Sequence, residues 1–391
     1  MSALPTGRPL ALVFALVASL VSALALAGPA AAQTVGGEEL AGSKRNVNLL
    51  NGAAPVPDVW AKTWIIADAD TGEVLAHKGA HVQRAPASTL KTLTALTVLP
   101  QTSPEDTYVA TRQAANTYGS RVGLKPGRTY TLDQLWNAVF LPSANDAAIA
   151  VAEANGGVRK TVRQMNDVAQ SLGALDTVAK NTNGLDAPGQ LSSAYDLALI
   201  AREGLKREDF SAYARTVKAQ FPNVKGKGKH TIYTTNRMLL RGWRGAIGVK
   251  TGYTSQAGRT FVGAAERRGR TLIVALMGIS ESTEAAATKL LSWGFKNADK
   301  VTPVGTLVEP NTVTATGRSA DAKPAEPSSD AATQPGTDGT PAASSADLAP
   351  GETTSASVLP LGIAGVVILV LGGGAALILR RRTVTRARHT A

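Results

Sequence analysis

The chain has 391 residues, 44% of them apolar, and a formal charge of +12 from 41 lysines and arginines against 29 aspartates and glutamates. That is enough apolar material for one sizeable domain or two small ones. The absence of cysteine excludes a disulfide framework and any thiolate metal site. The four histidines (His77, His81, His230 and His389) are too scattered for an evident zinc cluster, so neither a metal nor a cofactor is expected.

Residues 1–32 carry Arg8, an apolar run over 10–26 and three alanines before Gln33, the pattern of a secretory signal peptide cut after Ala32. Residues 33–58 lack periodicity and are expected to form a flexible N-terminal segment. A strand–turn–strand hairpin follows, 63–68 and 73–77 around Asp70-Thr71-Gly72. Helical patterns occupy 88–99, 132–140, 146–154, 158–172 and 194–203. Strands return at 246–251, 259–266 and 271–277, the last two joined by a tight Arg267-Arg268-Gly269 turn, and a final helix covers 283–295. This order predicts an α+β domain over 59–304. Both ends of the domain would complete an antiparallel sheet, a helical subdomain would be inserted between them, and the site would lie where the two parts meet.

Residues 305–357 are rich in Ala, Ser, Thr and Pro and too poor in large apolar groups to offset ordering, so they are expected to be a disordered tether. The uncharged stretch 358–379 is long enough for a transmembrane helix. The five arginines within 380–391 then mark a basic cytoplasmic tail. The expected location is a single-pass membrane protein with its folded domain outside the cytoplasm. A basic domain placed there meets anionic wall polymers or lipid surfaces rather than nucleic acid.

Three short motifs carry chemistry. Ser88 opens a predicted helix with Lys91 three residues on, so the two side chains share a face, and the N–H groups at the helix start suit a developing oxyanion. Ser143-Ala144-Asn145 sits on a connection between two apolar helices and presents a hydroxyl and a carboxamide. Lys250-Thr251-Gly252 ends a strand, where a cation and a hydroxyl can hold a carboxylate and glycine lets a backbone pass close. Each alone is weak, because serine is an ordinary N-cap. In the order S-x-x-K, S-x-N, K-T-G, on helix, loop and strand, they form the set known from penicillin-binding proteins and class A β-lactamases.

On these residues the chain resembles the low-molecular-mass penicillin-binding proteins, the serine-type D-Ala-D-Ala carboxypeptidases. The resemblance extends to LPSANDAAIAVAE from Leu141, Asn183-Gly184-Leu185, GVKTGYTSQAG from Gly248 and LLSWGF from Leu290. It implies a β-lactamase/DD-peptidase-like fold. Ser88 would be the acylated nucleophile, Lys91 its base, Ser143 a proton relay and Asn145 a clamp on the substrate backbone. Lys250 and Thr251, with Gly252 alongside, would bind the terminal carboxylate, and the N–H groups of Ser88 and Tyr253 would form the oxyanion hole. The implied substrates are peptidoglycan peptides ending in D-Ala-D-Ala, with β-lactams as covalent inhibitors. As a base Lys91 must be shifted from about 10.4 towards 7, and desolvation and the charge of Lys250 both push that way.

Many relatives place a carboxylate-binding arginine between the last strand and last helix, where this chain has Ile279-Ser280-Glu281-Ser282-Thr283. A class A-like β-lactamase would need a glutamate to activate the deacylating water. Between Asn145 and Lys250 the glutamates are Glu153, Glu203 and Glu208, with none over 180–186, so slow release of penicillin is expected. DD-endopeptidase activity shares the same acyl-enzyme, and a non-catalytic peptidoglycan-binding module is the alternative outside enzymology.

Overall fold

In the computed structural model, which describes residues 34–223 and 227–312, the strand Ala61–Asp68 shows why the domain is so apolar. Of its eight residues only Lys62 is exposed. Successive side chains in a strand face opposite sides, so burial at nearly every position means that both faces of the sheet are covered. Ile65 belongs to a core shared with the helical part, and its neighbour Ile66 to a second core beneath the helix Thr283–Asn297.

Seven strands form one antiparallel sheet in the order Arg45–Asn46, Glu73–Lys78, Ala61–Asp68, Arg270–Ile279, Gly258–Arg267, Ala246–Thr254, with Gly305–Thr306 also paired to Glu73–Lys78. The first hairpin turns where Asp68 Oδ1 accepts the backbone N–H groups of Asp70 and Thr71, at 2.9 and 3.2 Å. The α+β expectation holds. The helices Lys91–Val98, Leu132–Phe140, Asn145–Ala154, Val158–Leu172 and Ala194–Leu205 fall where the apolar spacing places them. Leu132–Phe140 starts on a reciprocal cap between Thr131 and Gln134. Lys91–Val98 is buried at every residue and forms the hub of the helical part.

Two boundaries differ from expectation. The stretch expected to be flexible is built into the domain from residue 34 onward. Leu40 is fully buried, Arg45–Asn46 and Asn48–Leu49 pair with other strands, and Ala54 is tied to Trp293 and Asn297. At the other end the folded domain runs past 304. Gly305–Thr306 completes the sheet, Leu307 is buried, and Glu309 pairs with the buried Arg202 at 2.7 Å. Two-residue strands are too short to leave a periodic signal, which is why the sequence pattern passes over them. The same applies to the hairpin Thr107–Val109 with Thr129–Thr131. A further hairpin, Lys218–Pro222 with Lys229–Tyr233, and the helix Glu208–Arg215 also lie outside the sequence expectation.

The expected signal peptide, the tether beyond 312, the span at 358–379 and the basic tail lie outside the described residues. Among the described residues no helix is long and apolar enough to cross a membrane.

Candidate active site

Ser88 sits in a single tight turn, Ala87–Leu90, that leads into the helix Lys91–Val98. The hydroxyls of Thr89 and Thr260 both donate to the carbonyl of Pro86, at 2.6 and 2.8 Å, and pin this turn to the sheet. Ala87, just before the nucleophile, adopts φ +50°, and Ser143 adopts φ +63°. Such left-handed conformations cost non-glycine residues on the order of 1 kcal/mol and cluster where function over-determines the backbone.

Lys91 is fully buried, with Nζ 2.8 Å from Ser88 Oγ, 2.7 Å from Asn145 Oδ1 and 2.6 Å from the carbonyl of Asn183. Among the described residues no carboxylate pairs with it. Burial, followed by the charge of Lys250, pulls its pKa well below the usual lysine value, with Asp146 opposing. The partners fit a neutral amine. Two N–H groups are matched by two carbonyl-type oxygens, and the remaining lone pair faces a hydroxyl that can donate to it.

Asn145, the first residue of its helix, is 3% exposed, and its carboxamide bridges Lys91 Nζ and the carbonyl of Tyr118, to which Nδ2 donates at 2.8 Å. In this arrangement it braces the base and keeps one N–H and one oxygen lone pair uncommitted to these two bonds. The adjacent Asp146 collects the backbone N–H groups of Val122, Gly123 and Leu124, at 3.1, 2.8 and 3.0 Å, and anchors the loop that carries Ser120. The Ser143 hydroxyl is buried at the wall of the cleft and has no hydrogen-bond partner among the described residues. It is therefore free to exchange a proton with whatever enters.

The strand Ala246–Thr254 brings the third motif alongside. Lys250 is 1% exposed, donates to the carbonyl of Thr251 at 2.9 Å, and is pulled down to about 7 by burial. Thr251 Oγ1 lies 2.6 Å from Thr235 Oγ1. Gly252 is needed for close approach, because a Cβ there would stand 2.4 Å from Thr260 Oγ1 and 2.9 Å from the backbone nitrogen of Ser88. Ser88, Ser143, Thr251, Gly252 and the exposed Tyr253 line one cleft of about 700 Å³. Lys250, Lys91 and Asn145 stand behind its wall.

Several site residues have no assigned role in the sequence reading. Asn183 supplies the carbonyl beside Lys91, and a Cβ on the next residue, Gly184, would fall 1.9 Å from the carbonyl of Ala87. The Asn-Gly pair was the available signal. Arg237 and Arg259 both line the cleft, and among the described residues neither is in an ion pair. Arg259 lies across the strand pair from Ile279, next to the segment where the sequence lacks the expected arginine. The cleft's two glutamates are tied elsewhere: Glu281 by Trp60 N at 2.7 Å and Lys289 at 2.8 Å, and Glu284 by Arg241 at 3.4 Å.

Outside the cleft, His81, Asp176 and Asp196 bring ligand atoms within 4.8 Å of one another. His81 Nδ1 lies 2.7 Å from Asp176 and Nε2 3.0 Å from the carbonyl of Val35. Burial lowers the imidazole pKa, but the hydrogen bond and charge of Asp176 outweigh it and the net shift is upward, as suits an ion pair.

The profile of a family described as D-alanyl-D-alanine carboxypeptidase matches residues 51–281. The chain is 42% identical over 252 residues to the D-alanyl-D-alanine carboxypeptidase DacB2 of Mycobacterium tuberculosis, covering 62% of this chain and 85% of that protein. Over 243 residues it is 33% identical to the D-alanyl-D-alanine carboxypeptidase DacF of Bacillus subtilis, covering 60% and 62%. Among solved structures it is similar to a D-alanyl-D-alanine carboxypeptidase from Mycobacterium tuberculosis, with TM-score 0.63 and 40% identity over 66% of this chain and 99% of that one. It is also similar to the Streptomyces K15 DD-transpeptidase, with TM-score 0.60 and 28% identity over 62% and 100%.

Proposed function

Because the chain belongs to the D-alanyl-D-alanine carboxypeptidase family, we propose that it removes the terminal D-alanine from peptidoglycan stem peptides through an acyl-enzyme on Ser88. The observation that carries this reading is the surroundings of Lys91 Nζ: two carbonyl-type acceptors, the nucleophile's hydroxyl and, among the described residues, no paired acid. Burial and the charge of Lys250 hold the Lys91 pKa well below the usual lysine value, which favours the neutral amine that can take the Ser88 proton as Oγ attacks the penultimate D-alanyl carbonyl. The resulting oxyanion is stabilised by the backbone N–H groups of Ser88 and Tyr253. Collapse expels D-alanine, whose amine takes a proton by way of Ser143, and water then releases the acyl group. Thr251 and Arg259, both on the cleft wall, hold the terminal carboxylate, and the buried Lys250 adds positive potential behind them.

Incubating the protein with a pentapeptide ending in D-Ala-D-Ala should release free D-alanine, and Ser88→Ala should abolish both release and covalent penicillin labelling. Cleavage of cross-linked dimers alone would make it an endopeptidase, and transfer to an added amine in preference to water a transpeptidase. Labelling of neither protein would favour the binding module. The cleft glutamates are held by Trp60, Lys289 and Arg241, so among the described residues neither cleft glutamate is free to activate a deacylating water, and penicillin should be released slowly. The leader-like residues 1–32, the apolar stretch 358–379 and the arginines that follow support an exported domain anchored in the cell membrane.

A further inference from the structure

The turn joining the strands Gly258–Arg267 and Arg270–Ile279 gathers positive charge that peptidase chemistry does not use. Arg267, Arg268 and Arg270 flank Gly269, and Arg244 and Lys296 join them around a concavity with a single acidic lining residue, Asp299. Asp299 is taken by Arg270 at 2.7 Å, and Asp68 pairs with the same guanidinium at 3.2 Å. Among the described residues Arg244, Arg267, Arg268 and Lys296 are in no ion pair. Alternation along the strand sends the nearby Glu266 to the opposite face.

Arg267 is held ready. Its Nε and Nη2 donate to the carbonyl of Arg244 at 3.1 and 3.0 Å, and its guanidinium lies 4.2 Å from the ring of Trp243 and 4.7 Å from that of Phe295. Partial burial, and then the charge of Arg244, lower its pKa, so this cluster carries repulsion that an anion would relieve.

The place of the patch matters as much as its charge. Arg259, eight residues back along the same strand, lines the cleft. At about 3.4 Å per residue the basic turn therefore lies about 27 Å away, at the opposite end of the sheet. The last described strand finishes at that same end: Leu307 N donates to the carbonyl of Gly72, and the neighbouring Asp70 accepts from Thr271 N.

We propose that this end of the domain docks on an anionic bilayer surface, with phosphate headgroups entering the groove between Arg244, Arg268 and Lys296 and the cleft held away from the membrane. Several cations without ion-pair partners among the described residues, with aromatic rings beside Arg267, at the end of the sheet remote from the cleft suit an interface of phosphate headgroups. The proposal goes beyond the peptidase reading and relies on the chain being exported.

The chain has no cysteine, so single labels are unambiguous. The full chain is labelled at Thr302→Cys, near the basic end, or at Gln256→Cys, near the cleft, and mixed with vesicles containing a headgroup energy acceptor. With phosphatidylglycerol in phosphatidylcholine, transfer from position 302 should exceed that from 256. The difference should vanish on phosphatidylcholine alone and in high salt. Replacing Arg244, Arg268 and Lys296 together by glutamine should abolish it, weakening docking on the order of a hundredfold, while penicillin labelling of Ser88 persists and reports an intact fold. Equal transfer from both positions, or no dependence on lipid charge, would overturn the proposal. So would protection of the patch by a soluble glycerol phosphate polymer without any by anionic vesicles, which would assign the groove to a wall polymer instead.

Discussion

Asn145 Oδ1 lies 2.7 Å from Lys91 Nζ and takes the place where an ordinary buried lysine would have a carboxylate. That one-atom difference leaves Lys91 without a hydrogen-bonded carboxylate among the described residues, so that burial and then the charge of Lys250 lower its pKa. Asn145→Asp keeps the shape and supplies the missing charge, so Lys91 should become an ammonium and lose its lone pair. Acylation by penicillin at neutral pH should fall by about 10²- to 10⁴-fold, the usual worth of a general base, and its acid limb should move to higher pH. Stopped-flow acylation measures both. Wild-type rates with an unmoved limb would contradict a neutral Lys91.

The two buried lysines also set a direction for stability. Both have folded pKa values below those of the unfolded chain, so the unfolded state binds protons more readily. Their contribution is fully present above the ordinary lysine value of about 10.4 and is lost as pH falls through the folded values, which for Lys250 is about 7. Lys250→Met should flatten the slope of melting temperature against pH between these limits. An unchanged slope by calorimetry would mean that Lys250 stays charged in the fold.

Gly252 tests how tightly the strand is laid against the nucleophile. A methyl at 252 must displace the backbone of Ser88 or the hydroxyl of Thr260, and both are fixed to the same turn through Pro86. Gly252→Ala should lower the acylation rate at least tenfold and cost about 1–3 kcal/mol of stability, as overpacking does. Denaturant unfolding, run beside penicillin labelling, separates the two effects.

Arg259 is expected to act on the substrate's carboxylate, so its loss should appear in KM. Arg259→Gln should raise KM for a D-Ala-D-Ala peptide about 10- to 100-fold, the worth of a charge-assisted hydrogen bond, and leave kcat within a few fold. A peptide amidated at its C-terminus should bind wild type and variant alike. If KM stays put, the carboxylate is held by Arg237 or Thr251 instead.

The long elements were legible because their apolar patterns were intact. The helix Val158–Leu172 carries clean helical spacing, the strands around Arg267-Arg268-Gly269 are unbroken apolar runs closed by a tight turn, and the three motifs fall in recognisable order on Ala87–Val98, the connection before Asn145 and Ala246–Thr254. What stayed hidden depends on pairing across long separations. Asn183 meets Lys91 through a loop 92 residues away, and His81 meets Asp176 across 95. Arg259 had no local pattern to distinguish it from any exposed strand arginine; only its register opposite Ile279 places it at the cleft. Asn145 was recognised, but its attachment to Tyr118, which turns it inward to the base, depends on a loop that no motif describes.

The two short strands near the ends of the described residues bear on solubility. Arg45–Asn46 and Gly305–Thr306 lie one after the other along the outer side of Glu73–Lys78 and occupy hydrogen-bonding groups that would otherwise be open. An uncovered edge strand is a template for another chain to add to. A chain trimmed to 59–304 would keep every residue of the cleft and lose both guards, so it should self-associate through Glu73–Lys78 although its chemistry is intact. The ends of this domain thus act as a seam that keeps one copy of the sheet from growing into the next.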